Sequence, residues 1–305
     1  MTHVNIEERK KKILVLLAAH EGQNYLNEQI LSLLNQVNVD IKIVISVDYS
    51  SDESFNICHG LSLAYPCITV LPYGERFLGA GKNFYRLIKD VDFGEFEYIA
   101  FSDQDDIWPD NKLSNAIEAL NQFDCYSANV TAFWEDGCEI LIDKAQKQRK
   151  WDFLFEAAGP GCTYVLRQEV AVRFKTWLLE YYENVREDIA LHDWLIYAFA
   201  RCRGYHWFID VESMMRYRQH ANNQVGTNNS FKAAKKRLKL ISNKWYRQQV
   251  VNIATYLDLR NTPIFFNGLN NGYIGNLYLL LHIGQLRRRF RDRLALAFFL
   301  LFNIF

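Results

Sequence analysis

No stretch of the 305-residue chain strings together the roughly 18 to 20 apolar residues that a membrane-spanning helix requires. The nearest approach is residues 294–305, and Asn303 interrupts it. The opening MTHVNIEERKKK is charged and lacks the apolar core of a secretory leader. Six cysteines, at 58, 67, 125, 138, 162 and 202, form no C-x-x-C pair, and their scatter predicts reduced thiols in a cytosolic protein. Neither G-x-G-x-x-G nor G-x-x-x-x-G-K-[ST] occurs, which excludes a Rossmann dinucleotide site and a P-loop. Internal repeats and low-complexity tracts are missing too. Net charge is zero, but the balance conceals an asymmetry. Residues 231–305 hold 13 Lys and Arg against 2 acids, so the preceding 230 residues carry a net −11. A basic end on an acidic body predicts an anionic surface, rather than nucleic acid, as partner of the tail.

Half of the residues are apolar and 15% are aromatic, enough for a large buried core. Residues 13–19 (ILVLLAA), 41–47 (IKIVISV), 68–71 and 98–101 read as short buried strands. Between them, residues 26–34, 53–64 and 80–91 read as helices. This alternation predicts an α/β fold with a mainly parallel, Rossmann-like central sheet flanked by helices. Ligands bind beyond the carboxyl ends of such strands, where residues 20–24, 48–52 and 103–106 fall. Pro109 is expected to open a helix reaching residue 122, and 126–134 to form a strand. Residues 135–150 read as a mobile polar loop. Gly159-Pro160-Gly161 reads as a turn before a strand at 162–166, with a helix to 182, another over 188–203 closed by Gly204, and a strand at 205–210. Beyond 226 the chain is basic and helical in character.

Four polar stretches can carry chemistry. AFSDQDDIWPD places Asp103, Asp105 and Asp106 within four positions after an apolar strand. Such clustered carboxylates suit a hard divalent cation, Mg²⁺ or Mn²⁺, or they cap the following helix. SVDYSSD, with Asp48 and Ser50, either reads a nucleotide or forms an Asx turn. Asp193 in LHDW is either a general base or a helix N-terminal acid. In YRQHANNQVG, Arg218 can hold a diphosphate and His220 a metal or phosphate, or the stretch is a surface loop.

Taken together, residues 12–226 resemble the inverting nucleotide-sugar glycosyltransferases of sequence family 2, in particular the rhamnosyltransferase-like branch of bacterial polysaccharide assembly. The carriers are LAAHEGQNYLNEQILSLLNQ, SVDYSSDES, the DXD-type FSDQDDIWPDNKL, GPGCTYVLR, HDW and YRQHANNQVG, in the family's order. Val47 stands where the family's first loop Asp would be, and Tyr49 replaces its Gly. The resemblance implies a GT-A fold over residues 1–226, with a nucleotide-sugar-binding half (1–125), an acceptor-binding half (126–226) and a helical basic extension (227–305). It further implies that Ala19, His20, Glu21, Asp48, Ser50, Asp103, Gln104 and Arg218 hold the donor. Asp105, Asp103 and His220 would hold the metal, and Asp193 would be the base of a single inverting displacement. Trp108, Gly161, Cys162, His192 and Trp194 would face the acceptor, with Trp108 and Trp194 either a stacking platform for sugars or, as for most Trp residues, core packing. The expected reaction moves rhamnose from a dTDP donor, or another hexose from a UDP donor, to a glycan or polyprenyl-diphosphate-linked acceptor in O-antigen (lipopolysaccharide), capsule or other surface polysaccharide synthesis. An inactive nucleotide- or glycan-binding module on the same fold is the alternative. A nucleotidyltransferase would need a glycine-rich basic loop after the first strand, which AAHEGQNY lacks.

The basic extension supports a separate expectation. Lys232, Lys235, Lys236, Arg237 and Lys239, and then Arg287–Arg289, Arg291 and Arg293 before the apolar 294–302, fit an interfacial helix at the inner face of the cytoplasmic membrane. Packing on the catalytic domain or on a second subunit of a homo-oligomer is the competing arrangement.

Overall fold

The computed structural model describes residues 9–220 and 244–305. The basic cluster at 232–239 and the end of the YRQHANNQVG stretch lie outside them. Eight strands form one sheet: β1 (Lys11–Ala19), β2 (Val39–Val47), β3 (Ile68–Val70), β4 (Tyr98–Ser102), β5 (Cys125–Phe133), β6 (Glu139–Ile142), β7 (Val165–Arg167) and β8 (Trp207–Arg218). Nine α-helices are described: α1 (Leu26–Leu34), α2 (Ser54–Ala64), α3 (Ala80–Asp90), α4 (Lys112–Leu120), α5 (Gln168–Asp188), α6 (His192–Cys202), α7 (Trp245–Tyr256), α8 (Gly272–Leu281) and α9 (Phe290–Leu301).

β3-β2-β1-β4 is parallel throughout. β7 then runs antiparallel between β4 and the start of β5. β6 pairs with the far end of β5, and β8 lies parallel along β5's other edge. β1 is buried on both faces, which explains its unbroken apolar run. Ile13, Val15 and Leu17 face a core shared with α1 and α4. Leu14, Leu16 and Ala18 face a second core that contains α3, α5 and α6. Val250, Ile253, Ile264, Leu279, Leu296, Leu300 and Phe305 join this second core, so the C-terminal helices pack on the sheet domain.

Several local readings change. Pro109 lies in the turn before α4, where its carbonyl accepts the Lys112 N–H at 3.0 Å, and the helix starts at Lys112. Residues 135–150 contain β6, hydrogen-bonded along β5. A 3₁₀ turn occupies Gly161–Thr163, and the strand waits until Val165. α5 extends to Asp188, and a break at Ile189-Ala190-Leu191 separates it from α6. Gly204 closes α6 at φ +83°, the left-handed region open to glycine. β8 runs to Arg218 because β5 is long enough to pair with it, through a bulge near Asn129.

Candidate active site

Parallel β1, β2 and β4 deliver their following loops to one rim, and the loops are tied together there. The Gln104 side chain accepts the His20 N–H and donates to the His20 carbonyl, each at 2.7 Å. A Cβ on Gly22 would fall 2.2 Å from Gln104 Oε1, so only glycine leaves room for this clamp. Glu21 Oε1 accepts the N–H and hydroxyl of Ser51 at 2.7 and 2.9 Å, while Ser50 Oγ accepts the Glu21 N–H at 3.1 Å. Buried Asp48 accepts the N–H groups of Phe77 and Leu78 at 2.7 and 3.1 Å and so fixes the loop before α3.

The long β8 brings a fourth loop to the same rim. His220 Nε2 lies 2.7 Å from Asp105 Oδ2, and its ring stacks on Tyr25 at 4.9 Å between centroids. Arg218 Nε donates to the Asp105 carbonyl at 3.0 Å, and its guanidinium pairs with Glu28. Arg218 therefore braces the Asp105 loop from behind and is not among the described residues lining the cleft, unlike the diphosphate contact expected of it.

A cleft of about 660 Å³ opens over the rim. Its rim side is lined by Ala19, His20, Glu21, Asp48, Asp103, Gln104, Asp105 and His220. The facing wall carries Gly161, His192 and Asp193. Ser50 supports the rim from below. Trp108 and Trp194, expected to face the acceptor, are buried at 1% and 3% exposure and do not reach the cleft. Trp194 Nε1 donates to the Phe153 carbonyl, and Trp108 lies under the Lys112 ammonium, 3.2 Å from its ring centroid. Core packing takes both indoles because each sits on the inner face of its segment. Cys162 is also buried, beneath the rim. The sequence reading passed over Asn83 and Lys144, which line the cleft. A polar residue at the centre of α3's buried face was the available signal for Asn83.

The electrostatics follow from burial. Asp193, in the first turn of α6, accepts the Trp194 N–H at 2.8 Å, and burial pushes its carboxyl up to about 6. A Cβ on Gly161 would come within 2.8 Å of both Asp193 Cβ and His192 Nε2, so the 160–163 turn approaches the acid through a glycine. His192 stacks on Phe84 at 3.9 Å, and burial lowers it to about 3, which keeps the imidazole neutral. Burial, then the neighbouring Asp105, raises Asp103 to about 7, and Asp106 is raised by burial and both neighbours. Lys112, donating to the Cys162 carbonyl at 3.3 Å, is lowered to about 7 by burial.

These residues fit a divalent cation. Carboxylate oxygens and one imidazole suit Mg²⁺ or Mn²⁺. Among the described residues buried Asp106 Oδ2 has no hydrogen-bond partner, and Asp103, Asp106 and Cys162 place ligand-type atoms within 4.8 Å of one another. Burial and the adjacent acids push the Cys162 thiol up. Asp105 and His220 meet at the cleft surface beside this group.

Comparison with known proteins accords with this geometry. The sequence profile "Glycosyl transferase family 2" matches residues 14–169. The chain is 50% identical over 292 residues to the dTDP-rhamnosyl transferase RfbG of Shigella flexneri, covering 95% of this chain and 100% of that protein. Among solved structures it resembles S. aureus TarS in complex with UDP-GlcNAc, with a TM-score of 0.55 at 14% identity over 96% of this chain and 88% of the other. It also resembles the mannosyltransferase PcManGT of Pyrobaculum calidifontis, in complex with GDP-Man and Mn²⁺, with a TM-score of 0.51 at 12% identity over 97% and 85%. Profile, relative and fold agree: the chain is a GT-A-fold member of glycosyltransferase family 2.

Proposed function

We propose that this enzyme transfers rhamnose from dTDP-rhamnose, with inversion, to a hydroxyl of a glycan or lipid-linked glycan. The observation that carries this reading is the position of Asp193 across one cleft from the acidic rim. The rim loops bind and orient the nucleotide, with Asp48 and Gln104 keeping them in register. Asp103, Asp105 and His220 would hold a divalent cation, which, when bound, supplies charge neutralisation for a diphosphate leaving group. Asp193 Oδ takes the proton of the acceptor hydroxyl as that oxygen attacks the anomeric carbon from the side opposite the leaving group. A carboxyl raised to about 6 is ionised at neutral pH yet more basic than an ordinary aspartate, as a general base requires. The dTDP-sugar assignment draws on the half-identical relative. Nucleotide release from dTDP-rhamnose and from UDP-hexoses, with Mg²⁺ or Mn²⁺ and with chelator, tests it. Faster release from dTDP-rhamnose that chelator abolishes is expected; equal turnover of every donor, or indifference to chelator, would sink the assignment.

The same reading extends to the membrane surface. No described helix is long and apolar enough to cross a membrane. However, Phe290, Leu294, Phe298, Leu301 and Phe302 form an exposed stripe on and just past α9, beside exposed Tyr273, Ile274, Leu277 and Leu281 of α8. Arg289, Arg291 and Arg293 flank it. Arg287 and Arg288, which the basic run grouped with them, turn inward: Arg288 is buried against Asp152 (3.3 Å) and Glu156 (3.6 Å), and Arg287 reaches the Phe155 carbonyl. An apolar stripe edged by arginines suits an anionic bilayer surface. Co-sedimentation with anionic vesicles that Phe298→Ser with Phe302→Ser leaves unchanged would reject this face.

A further inference from the structure

Lys144 lines the wall of the cleft near Asp193, and neither role above uses it. It follows β6, and Asn129 Oδ1 accepts its backbone N–H at 2.6 Å, so the position of the residue is set by β5. Its side chain is drawn into the protein beside Gly159, where a Cβ would lie 3.8 Å from the Lys144 Cβ and Cγ. Among the described residues its ammonium has no hydrogen-bond or ion-pair partner. Two of the acids that act on it from a distance are already engaged, Glu156 with Arg288 at 3.6 Å and Asp292 with Arg287 at 3.6 Å; the third, Asp193, shares the cleft with it and makes no ion pair among the described residues. Burial disfavours the ammonium's charge most, and those two arginines oppose it further. Lys144 is thus a partly desolvated cation in a cleft whose other formally charged lining residues, among those described, are acids: Glu21, Asp48, Asp103, Asp105 and Asp193. A half-buried ammonium is stabilised when an anion reaches it. The donor's diphosphate is itself an anion, but the acidic rim would meet it through the cation; beside Asp193 the acceptor is left to supply the anion, and a loss of dTDP affinity in Lys144→Gln would assign Lys144 to the diphosphate instead.

We propose that Lys144 is a specificity-determining residue that selects acceptors carrying an anionic group, a phosphate ester or a carboxylate, close to the hydroxyl presented to Asp193. This rests on the glycosyltransfer reading for the word acceptor, whereas the anion site itself rests only on Lys144 and its surroundings. The Coulomb field of the same ammonium lowers Asp193, so a purely electrostatic role toward the base is the outcome to distinguish.

Binding of three probes decides between these, measured by ligand-observed NMR on the full chain with saturating dTDP and Mn²⁺ filling the donor side, and again without nucleotide. The probes are glucose 1-phosphate, methyl glucuronide and neutral methyl glucoside. One or both anionic probes should bind roughly tenfold or more tightly than the glucoside, as expected of a charge-assisted hydrogen bond. Lys144→Gln should erase that preference and Lys144→Arg keep it, with dTDP affinity unchanged in both. Preference for the phosphate or for the carboxylate identifies the group. Equal binding of all three probes, or a preference that survives Lys144→Gln, overturns the proposal and leaves Lys144 as a modulator of Asp193. Failure of the wild-type chain to bind dTDP would strike at the nucleotide-sugar reading instead, and the nucleotide-free arm would still decide on Lys144.

Discussion

The two walls of the cleft are built by different means. The acidic rim is local: three loops follow three parallel strands, and Gln104, Glu21 and Asp48 stitch them together by short polar contacts. The opposite wall is assembled from distant pieces. Asp193 stands on α6, Gly161 on a turn packed against it, and Lys144 on the segment after β6. Behind this wall, Asp152 receives Arg201 at 3.2 Å and Arg288 at 3.3 Å, so the C-terminal region braces it through buried charge. One wall depends on loop register, the other on long-range packing, and the two should fail differently.

The largest expected effect is on the packed wall. Asp193→Asn should lower kcat by about 10² to 10⁴ with dTDP affinity retained, as measured by coupled nucleotide release and calorimetry. Next is the brace: Arg288→Met leaves Asp152 and Glu156 with less compensation and should cost about 3 to 5 kcal/mol in denaturant unfolding, with little specific change in nucleotide affinity of the folded fraction. A matched pair of glycine substitutions would sharpen the contrast. Gly161→Ala displaces Asp193 and should reduce kcat by about tenfold to a hundredfold. Gly22→Ala collides with Gln104 and should instead weaken dTDP binding. If both variants changed the same parameter, the division between the walls would be wrong. The smallest effect is in pH dependence. Because burial raises Asp193 to about 6, the base is lost as pH falls through that value, so kcat/KM should decline with a midpoint near 6, well above the ~4 of an unperturbed aspartate.

This contrast also explains what could be read from the chain. Apolar runs mark β1, β2 and β4, and their ends mark the rim, so Asp48, Gln104 and Asp105 were legible as neighbours. Asp193 was legible as a candidate only by its motif, because nothing local says that α6 turns its first residues toward the rim. Trp108 and Trp194 took the packing alternative over the stacking one, a choice the sequence left open because aromatic content does not reveal which way a ring faces. The arginines at 287–293 read as one surface charge cluster, since the partner of Arg288 is Asp152, 136 residues away. β6 was hidden within a polar stretch, where its pairing with β5 supplies order that its composition does not.

That division among neighbouring arginines means added salt will sort them. Mobile ions screen solvent-facing Arg291 within a Debye length of about 10 Å at 0.1 M, yet they have no access to the enclosed guanidinium of Arg288. If the proposed membrane face is used, raising ionic strength should therefore weaken its attraction to an anionic bilayer well before it loosens the scaffold, giving a way to detach the protein from such a surface without unfolding it.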